Sequence, residues 1–187
     1  MKISATILAA GSSERMGNFN KLLLLIGNKP IIYSVCKTVL DAKLNQIILV
    51  TGYQNAEIEK VLPKEINNII YNKNWNQGMM SSIYAGMSKL DNDIDGNMII
   101  LGDMPLITVD TINVLIDEFN KCNGNHIVYP IYNARQANPV IFPKKYFSEI
   151  LSFQGDKGCK KVLKKYPGDS IGVHIKSDEV IIDCDTR

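Results

Sequence analysis

The sequence predicts an α/β fold, a mainly parallel sheet covered by helices on both faces. Two observations predict it. Short apolar, β-branched runs alternate along the chain with longer segments whose apolar residues recur at three- and four-residue spacing. The stretches that follow three of the strand-like runs, "AAGSS", "NWNQGMMSS" and "GDMP", are polar or glycine-bearing. Loops at the carboxyl ends of parallel strands are where open α/β sheets hold ligands.

Taken in order, "SATILAA" reads as the first strand and "QIILVTGY" as the second, with "IIYSVCKTVLDAK" between them as a helix. "NAEIEKVL" is a second helix leading to the strand "NNIIYN". "SSIYAGMSKL" leads to the strand "NMIILGD", and "TVDTINVLIDEFNKC" to "HIVYPIY". Past Asn133 the rhythm changes: "NPVIFPKKYF" is a strand interrupted by prolines, followed by helices at "FSEILSFQ" and "GCKKVLKKY". Two late strands are expected at "SIGVHIK" and "EVIIDCD". No low-complexity linker or internal repeat breaks the chain, so residues 1–187 are read as one domain.

Composition narrows the function. Hydrophobic residues are 45% and charged residues 21%, and 21 basic against 19 acidic side chains leave a net charge of +2. That balance offers no broad basic face for nucleic acid, although a local anion site is compatible with it. The cysteines at 36, 122, 159 and 184 form no C-x-x-C pair and only two histidines are present, which argues against a zinc site or a disulfide framework. No stretch approaches the ~20 apolar residues of a membrane span. "MKISATILAAG" lacks a charged leader and cleavage region. A cytoplasmic protein with no membrane and no nucleic-acid partner is expected.

The loop "LAAGSSERMGNFNK" is neither standard nucleotide cradle. A P-loop needs G-x-x-x-x-G-K-[ST], but five residues separate Gly11 from Gly17, and Lys21 follows four positions later with no Ser or Thr after it. The G-x-G-x-x-G of a dinucleotide site is absent, which weakens an oxidoreductase reading. The chemistry of an anion site is still available: Gly11, Ser12 and Ser13 can present successive backbone N–H groups, Arg15 a planar fork and Lys21 a point charge. In "ILGDMPLIT", Asp103 ends an apolar strand and Met104-Pro105 stops a helix from starting there. It is therefore placed to hold a divalent cation against a phosphate, while Thr108 and Asp110 are better placed to cap the next helix.

These residues carry a resemblance. "LAAGSSERMGNFNK" resembles the L-A-A-G-x-S-x-R-M-G-x-x-K signature of nucleotidyltransferases of the molybdenum cofactor cytidylyltransferase type and their guanylyltransferase relatives, with one extra residue before Lys21. "NWNQGMMSSIYAGM", "LGDMPLIT", "RQANPVIF", "GDKGCKKVL" and "IIDCDT" resemble further elements of that family, in the right order and across essentially the whole chain. The resemblance implies a Rossmann-like, nucleotide-diphospho-sugar transferase-like fold and a Mg²⁺-dependent transfer of a nucleotide to a phosphorylated acceptor.

Carried over residue by residue, it implies that Leu8, Ala9, Ala10, Gly11, Ser12, Ser13, Arg15, Gly17 and Lys21 wrap the triphosphate. Gly78, Ser81 and Ser82 would line the base and ribose side, although the two serines also suit a plain helix N-terminus. Arg15, Lys21 and Asp103 would be catalytic, Asp103 and Asp185 would hold Mg²⁺ with Asp183 as a supporting neighbour whose role is interchangeable with that of Asp185, and Arg135 and Asn138 would face the acceptor. Trp75 reads as a core or rim anchor. "LAAG" resembles the cytidylyl-transferring branch, so CTP is the implied donor and a phosphorylated pterin the implied acceptor, with a molybdenum hydroxylase as a recipient of the product. Asn138 departs from the family's G-H-P, and the usual P-E-D-L does not follow the final D-C-D-T. Another NTP, another phosphorylated acceptor, and a non-catalytic cofactor-delivery role stand as alternatives. If Lys21 is to reach the same phosphates, the extra residue before it must bulge outward.

Overall fold

The computed structural model describes residues 1–13, 19–153 and 159–184. In chain order the elements are β1 (Ile3–Ala9), β2 (Leu25–Ile26), β3 (Lys29–Pro30), α1 (Ile31–Leu40), β4 (Gln46–Thr51), α2 (Asn55–Lys60), β5 (Ile69–Tyr71) and α3 (Met79–Met87). They continue with β6 (Gly96–Leu101), α4 (Val109–Lys121), β7 (Ile127–Tyr132), β8 (Arg135–Gln136), β9 (Val140–Pro143), α5 (Phe147–Ser152), α6 (Lys160–Lys165) and β10 (Ser170–His174). Short 3₁₀ turns at Lys21–Leu23, Trp75–Gln77 and Asp178–Val180 punctuate the loops.

An eight-stranded sheet runs in the order β10-β7-β9-β6-β1-β4-β5, with β8 paired to β7 outside that path. β1 lies parallel between β4 and β6, and β5 extends β4 in parallel. The chain therefore builds outward on one side of β1 and then, through α3, crosses to the other. The carboxyl ends of β5, β4, β1 and β6 line one edge, and the reversal of direction opens a crevice between β1 and β6. β9 runs antiparallel to both β6 and β7, so the sheet is mixed but mainly parallel.

Alternation along β1 explains the two layers. Ile3, Ala5, Ile7 and Ala9 face a core shared with Ile32, Val35 and Val39 of α1, Ile58 of α2, and Ile112, Leu115 and Phe119 of α4. Across the sheet, Met80, Ile83 and Met87 of α3, Ile150 of α5 and Val162 of α6 pack on Ile99, Ile127 and Phe142. Each fully buried Ile, Leu or Phe contributes about 1.5–3 kcal/mol by leaving water. α4 starts where Thr108 Oγ1 accepts from the Thr111 N–H at 3.2 Å, a cap worth about 1 kcal/mol. Thr108 thus takes the capping role and leaves Asp103 outside it.

Over its described residues, 179–184, the late strand expected at 179–185 is not formed. Asp178–Val180 is a 3₁₀ turn and residues 181–184 are irregular. The cause is Glu179, whose carboxylate is buried and accepts from the hydroxyls of Thr108 at 2.8 Å and Thr111 at 2.6 Å. Ser177 caps the turn by accepting from the Glu179 N–H. Tying this segment to the start of α4 removes it from any strand register. Among the described residues no helix is long and apolar enough to cross a membrane.

Candidate active site

At the end of β1 the chain leaves the core. Ala9 and Ala10 are buried, Gly11 is exposed, and Ser12 and Ser13 are half-buried, with Ser13 at φ +55°. The Leu8 carbonyl accepts from the Gly102 N–H at 2.9 Å, and the Ala10 carbonyl from the Tyr53 N–H at 3.1 Å. The loop root is thereby stitched to the ends of both neighbouring strands. Ala9 and Ala10 are buried and Leu8 half-buried, so they shape the loop root, and exposure begins at Gly11. Arg15 and Gly17 lie outside the described residues.

Lys21 returns to this loop through a single 3₁₀ turn. Asn20, only 3% exposed, starts that turn: its Oδ1 accepts from the Leu22 N–H at 3.1 Å and its Nδ2 donates to the Tyr53 carbonyl at 3.4 Å. The Lys21 N–H donates to Ser13 Oγ at 3.1 Å. Phe19, by contrast, is 59% exposed. Sequence reading passed over Asn20; an asparagine beside a lysine in a polar loop looks solvated, and only the fold brings Tyr53 to it.

The Lys21 ammonium lies 2.5 Å from Asp103 Oδ2, with the two side chains 17% and 14% exposed. This ion pair spans the crevice between β1 and β6. The other carboxylate oxygen, Asp103 Oδ1, is buried and has no hydrogen-bond partner. The Asp103 carbonyl accepts from the Cys184 N–H at 3.1 Å, which brings the acidic segment at 183–184 beside it. Asp185, the second carboxylate expected at the metal, lies outside the described residues. Among the described residues no group of three His, Cys, Asp or Glu side chains gathers as a metal cage. One inward carboxylate with an open oxygen suits Mg²⁺, which binds through one or two carboxylates and takes its remaining ligands from water and phosphate.

Opposite the phosphate side, Gly52 follows β4 in close contact with the loop root. A Cβ there would lie 2.6 Å from Trp75 Cβ and 2.8 Å from both the Cβ and the carbonyl oxygen of Ala10. Trp75 packs against this cluster and tilts on Tyr53, ring centroids 5.5 Å apart, as a rim anchor. Gly78 precedes α3 at φ +97°, a conformation that favours glycine. Ser81 and Ser82 lie in the first turn of α3, and both hydroxyls accept from Asn72 Nδ2, at 2.8 and 3.0 Å. Ser82 is buried.

On the other flank, a pocket of about 140 Å³ is lined by Leu101, Met104, Gln136, Asn138, Ile181 and Asp183, among others. Asn138 forms its wall, and its N–H donates to the Val180 carbonyl at 3.3 Å. Arg135 is exposed on β8, pairing Tyr132 across a turn in which Asn133 and Ala134 have positive φ. The structure thus brings Ser13, Lys21 and Asp103 together, sets Gly78, Ser81 and Ser82 across the loop from them, and places Asn138 in a separate pocket with Arg135 on a nearby rim.

A loop at the end of β1, a lysine and an inward carboxylate thus meet at a strand crossover, and the sequence profile of the MobA-like NTP transferase domain matches residues 5–171. The chain belongs to that family. This MobA-like NTP transferase is 26% identical over 166 residues to the purine catabolism protein PucB of Bacillus subtilis (strain 168), an alignment covering 84% of this chain and 78% of PucB. It is 32% identical over 118 residues to the probable molybdenum cofactor guanylyltransferase of Thermococcus gammatolerans, covering 62% of this chain and 56% of that protein. It spans only 36% of the bifunctional protein GlmU of Thermosipho africanus, at 26% identity.

Two solved structures share the fold. One is a nucleotidyl transferase from Methanothermobacter (TM-score 0.84, 21% identity, 98% of this chain and 92% of that one). The other is Rv0371C of Mycobacterium tuberculosis in complex with manganese (TM-score 0.81, 19% identity, 95% and 90%). This MobA-like NTP transferase therefore has the nucleotide-diphospho-sugar transferase fold and is a nucleotidyltransferase.

Proposed function

We propose that the chain transfers CMP from CTP to the phosphate of a phosphorylated pterin, that of the molybdenum cofactor, with release of pyrophosphate and with Mg²⁺ at Asp103. The observation that carries the reading is the Lys21–Asp103 pair: a cation and an inward carboxylate, one of its oxygens unpartnered, beside the outward loop 11–13. A phosphate oxygen of the acceptor attacks the α-phosphorus in line, the bond from that phosphorus to the bridging oxygen breaks, and pyrophosphate carries the electron pair away. Both reactants are anions, so positioning and charge compensation do most of the work and no protein nucleophile is needed.

In this reading the N–H groups of Gly11, Ser12 and Ser13 cradle phosphate oxygens, and Lys21, released from Asp103, moves with Arg15 onto the β- and γ-phosphates. Asp103, with Asp185, would hold the cation, which when bound would supply charge neutralisation to the triphosphate. The manganese in the Rv0371C complex supports a divalent ion in this fold. CTP is favoured because Ala10 stands where the guanylyl-transferring branch has glycine; its methyl fills the space against Gly52 and Trp75. The pocket behind Asp103 is where this reading seats the pterin: Gln136 and Asn138 line it together with apolar Leu101 and Met104, and side-chain amides are suited to hydrogen-bonding an amino-oxo ring. A product of this kind would pass to a molybdenum hydroxylase.

The test is pyrophosphate release from each of the four NTPs, with and without molybdenum cofactor as acceptor, by the parent and by Asp103→Asn. Acceptor-dependent release from CTP, lost in the variant while its unfolding curve stays cooperative, is the expected result. Undiminished release by Asp103→Asn removes that carboxylate from the mechanism, acceptor-independent release rejects the pterin acceptor, and GTP-only release rejects the CTP assignment.

A further inference from the structure

We propose that Asn72 is the positioning residue of the nucleoside side of the site, and that Ser81 and Ser82 serve that side through Asn72 rather than by touching the nucleotide. The inference rests on the reading that an NTP binds beside the loop at 10–13. Asn72 is the first residue past β5 and only 5% exposed. Its own N–H donates to the Thr51 carbonyl at 2.9 Å, which fixes its backbone to the end of β4. Its side chain is committed wholly to the next loop: Nδ2 donates to Ser81 Oγ at 2.8 Å and Ser82 Oγ at 3.0 Å, while Oδ1 accepts from the Asn74 N–H at 2.9 Å.

Ser81 is committed as well. Its hydroxyl lies 2.8 Å from the Asn74 carbonyl and 2.9 Å from that of Gly78, and its single proton serves them while its oxygen receives Asn72. One buried amide thus ties the loop 74–78 to the first turn of α3, and within that loop Trp75 packs against Gly52 and Ala10. An untied loop would be ordered only on binding, at a cost of about 1–2 kcal/mol per residue fixed. Residues 13 and 20–22 have hydrogen bonds of their own that do not pass through Asn72, from the Leu22 N–H to Asn20 and from the Lys21 N–H to Ser13. Loss of Asn72 should therefore weaken recognition of the nucleoside and spare that of the phosphates.

The experiment titrates parent, Asn72→Ala, the double variant Ser81→Ala/Ser82→Ala, and the triple variant with CTP and, separately, with inorganic tripolyphosphate, and records the melting temperature of each. Asn72→Ala should weaken CTP about tenfold and leave tripolyphosphate within about twofold. The serine pair should lose a similar factor, and the triple variant no more than the larger of the two losses, because all three groups act as one unit. Multiplying losses would mean that the serine hydroxyls reach the nucleotide themselves, and equal losses for CTP and tripolyphosphate would mean general loosening. Either result overturns the proposal. If Asn72→Ala does not fold, Asn72→Asp, which keeps the size and the Oδ1 acceptor, carries the same comparison. A parent that binds tripolyphosphate but no NTP overturns the underlying reading and this inference with it, whereas a failure confined to the variants leaves that reading intact.

Discussion

Replacing Lys21 by alanine separates what the lysine does for the fold from what it does for the substrate. Its ammonium sits 2.5 Å from Asp103 Oδ2, and the two side chains are only 17% and 14% exposed. Asp103 Oδ1 is already without a partner, so Lys21→Ala leaves a carboxylate with neither oxygen compensated. Breaking a fully buried pair by removing one partner costs about 3–5 kcal/mol; with some solvent reaching both groups, about 2–3 kcal/mol is the working figure. In a chain of this length that lowers Tm by roughly 4–12 °C.

Exchanging Asp103 for asparagine in the same chain removes the stranded charge. Lys21→Ala/Asp103→Asn should therefore recover to within about 1 kcal/mol of the parent. Substrate binding should not recover: a charge-assisted contact to phosphate is worth about 1.5–3 kcal/mol, so Kd for CTP should rise by roughly 10- to 150-fold in both variants. Urea unfolding with linear extrapolation reads the first quantity and calorimetric titration the second. A double variant no more stable than Lys21→Ala would refute the buried-pair argument. Parental CTP affinity in Lys21→Ala would refute the phosphate contact.

Gly52→Ala forces a methyl to within 2.6 Å of Trp75 Cβ and 2.8 Å of the Ala10 carbonyl oxygen. It should destabilise by about 1–3 kcal/mol in urea unfolding and weaken CTP binding, because the loop root must shift. Acid should loosen the α5–α6 layer. The hydroxyl of Tyr146 and the ammonium of Lys145 hold the Asp169 carboxyl below its ordinary value of 3.8, and Lys165, with the Tyr166 hydroxyl, holds Glu149 below 4.5. Groups depressed on folding stabilise above their unfolded values and lose that contribution as pH falls through the folded ones. Tm should therefore hold between pH 7 and 5 and fall below about pH 4.5, with a shallower acid limb in Tyr146→Phe; identical limbs in parent and variant would contradict the assignment.

Much of this was legible in the sequence because it depends on local pattern. Continuous apolar runs placed β1, β4, β6 and β7 within a few residues, and Thr108 could be separated from Asp103 by its position before an amphipathic run. What escaped depends on distant partners. "EVIIDCD" has the hydropathy of a strand, yet Glu179 is drawn onto the hydroxyls of Thr108 and Thr111, about seventy positions earlier in the chain, and the segment turns instead. The antiparallel run of β9 is invisible to periodicity, which does not report direction. Asn20 and Asn72 sit in polar loops and look solvated; only the convergence of β1, β4 and β5 buries them. Ala10 lies against Gly52 and Trp75, far from it in the chain, a placement that local pattern does not report.

Nucleotidyl transfer requires attack at the α-phosphorus. With CTP labelled at the α-phosphate in one reaction and at the γ-phosphate in another, and molybdenum cofactor as acceptor, the α-label should appear in the dinucleotide product and the γ-label in pyrophosphate. A γ-label on the acceptor, or no transfer of either label while CTP is bound, would contradict it.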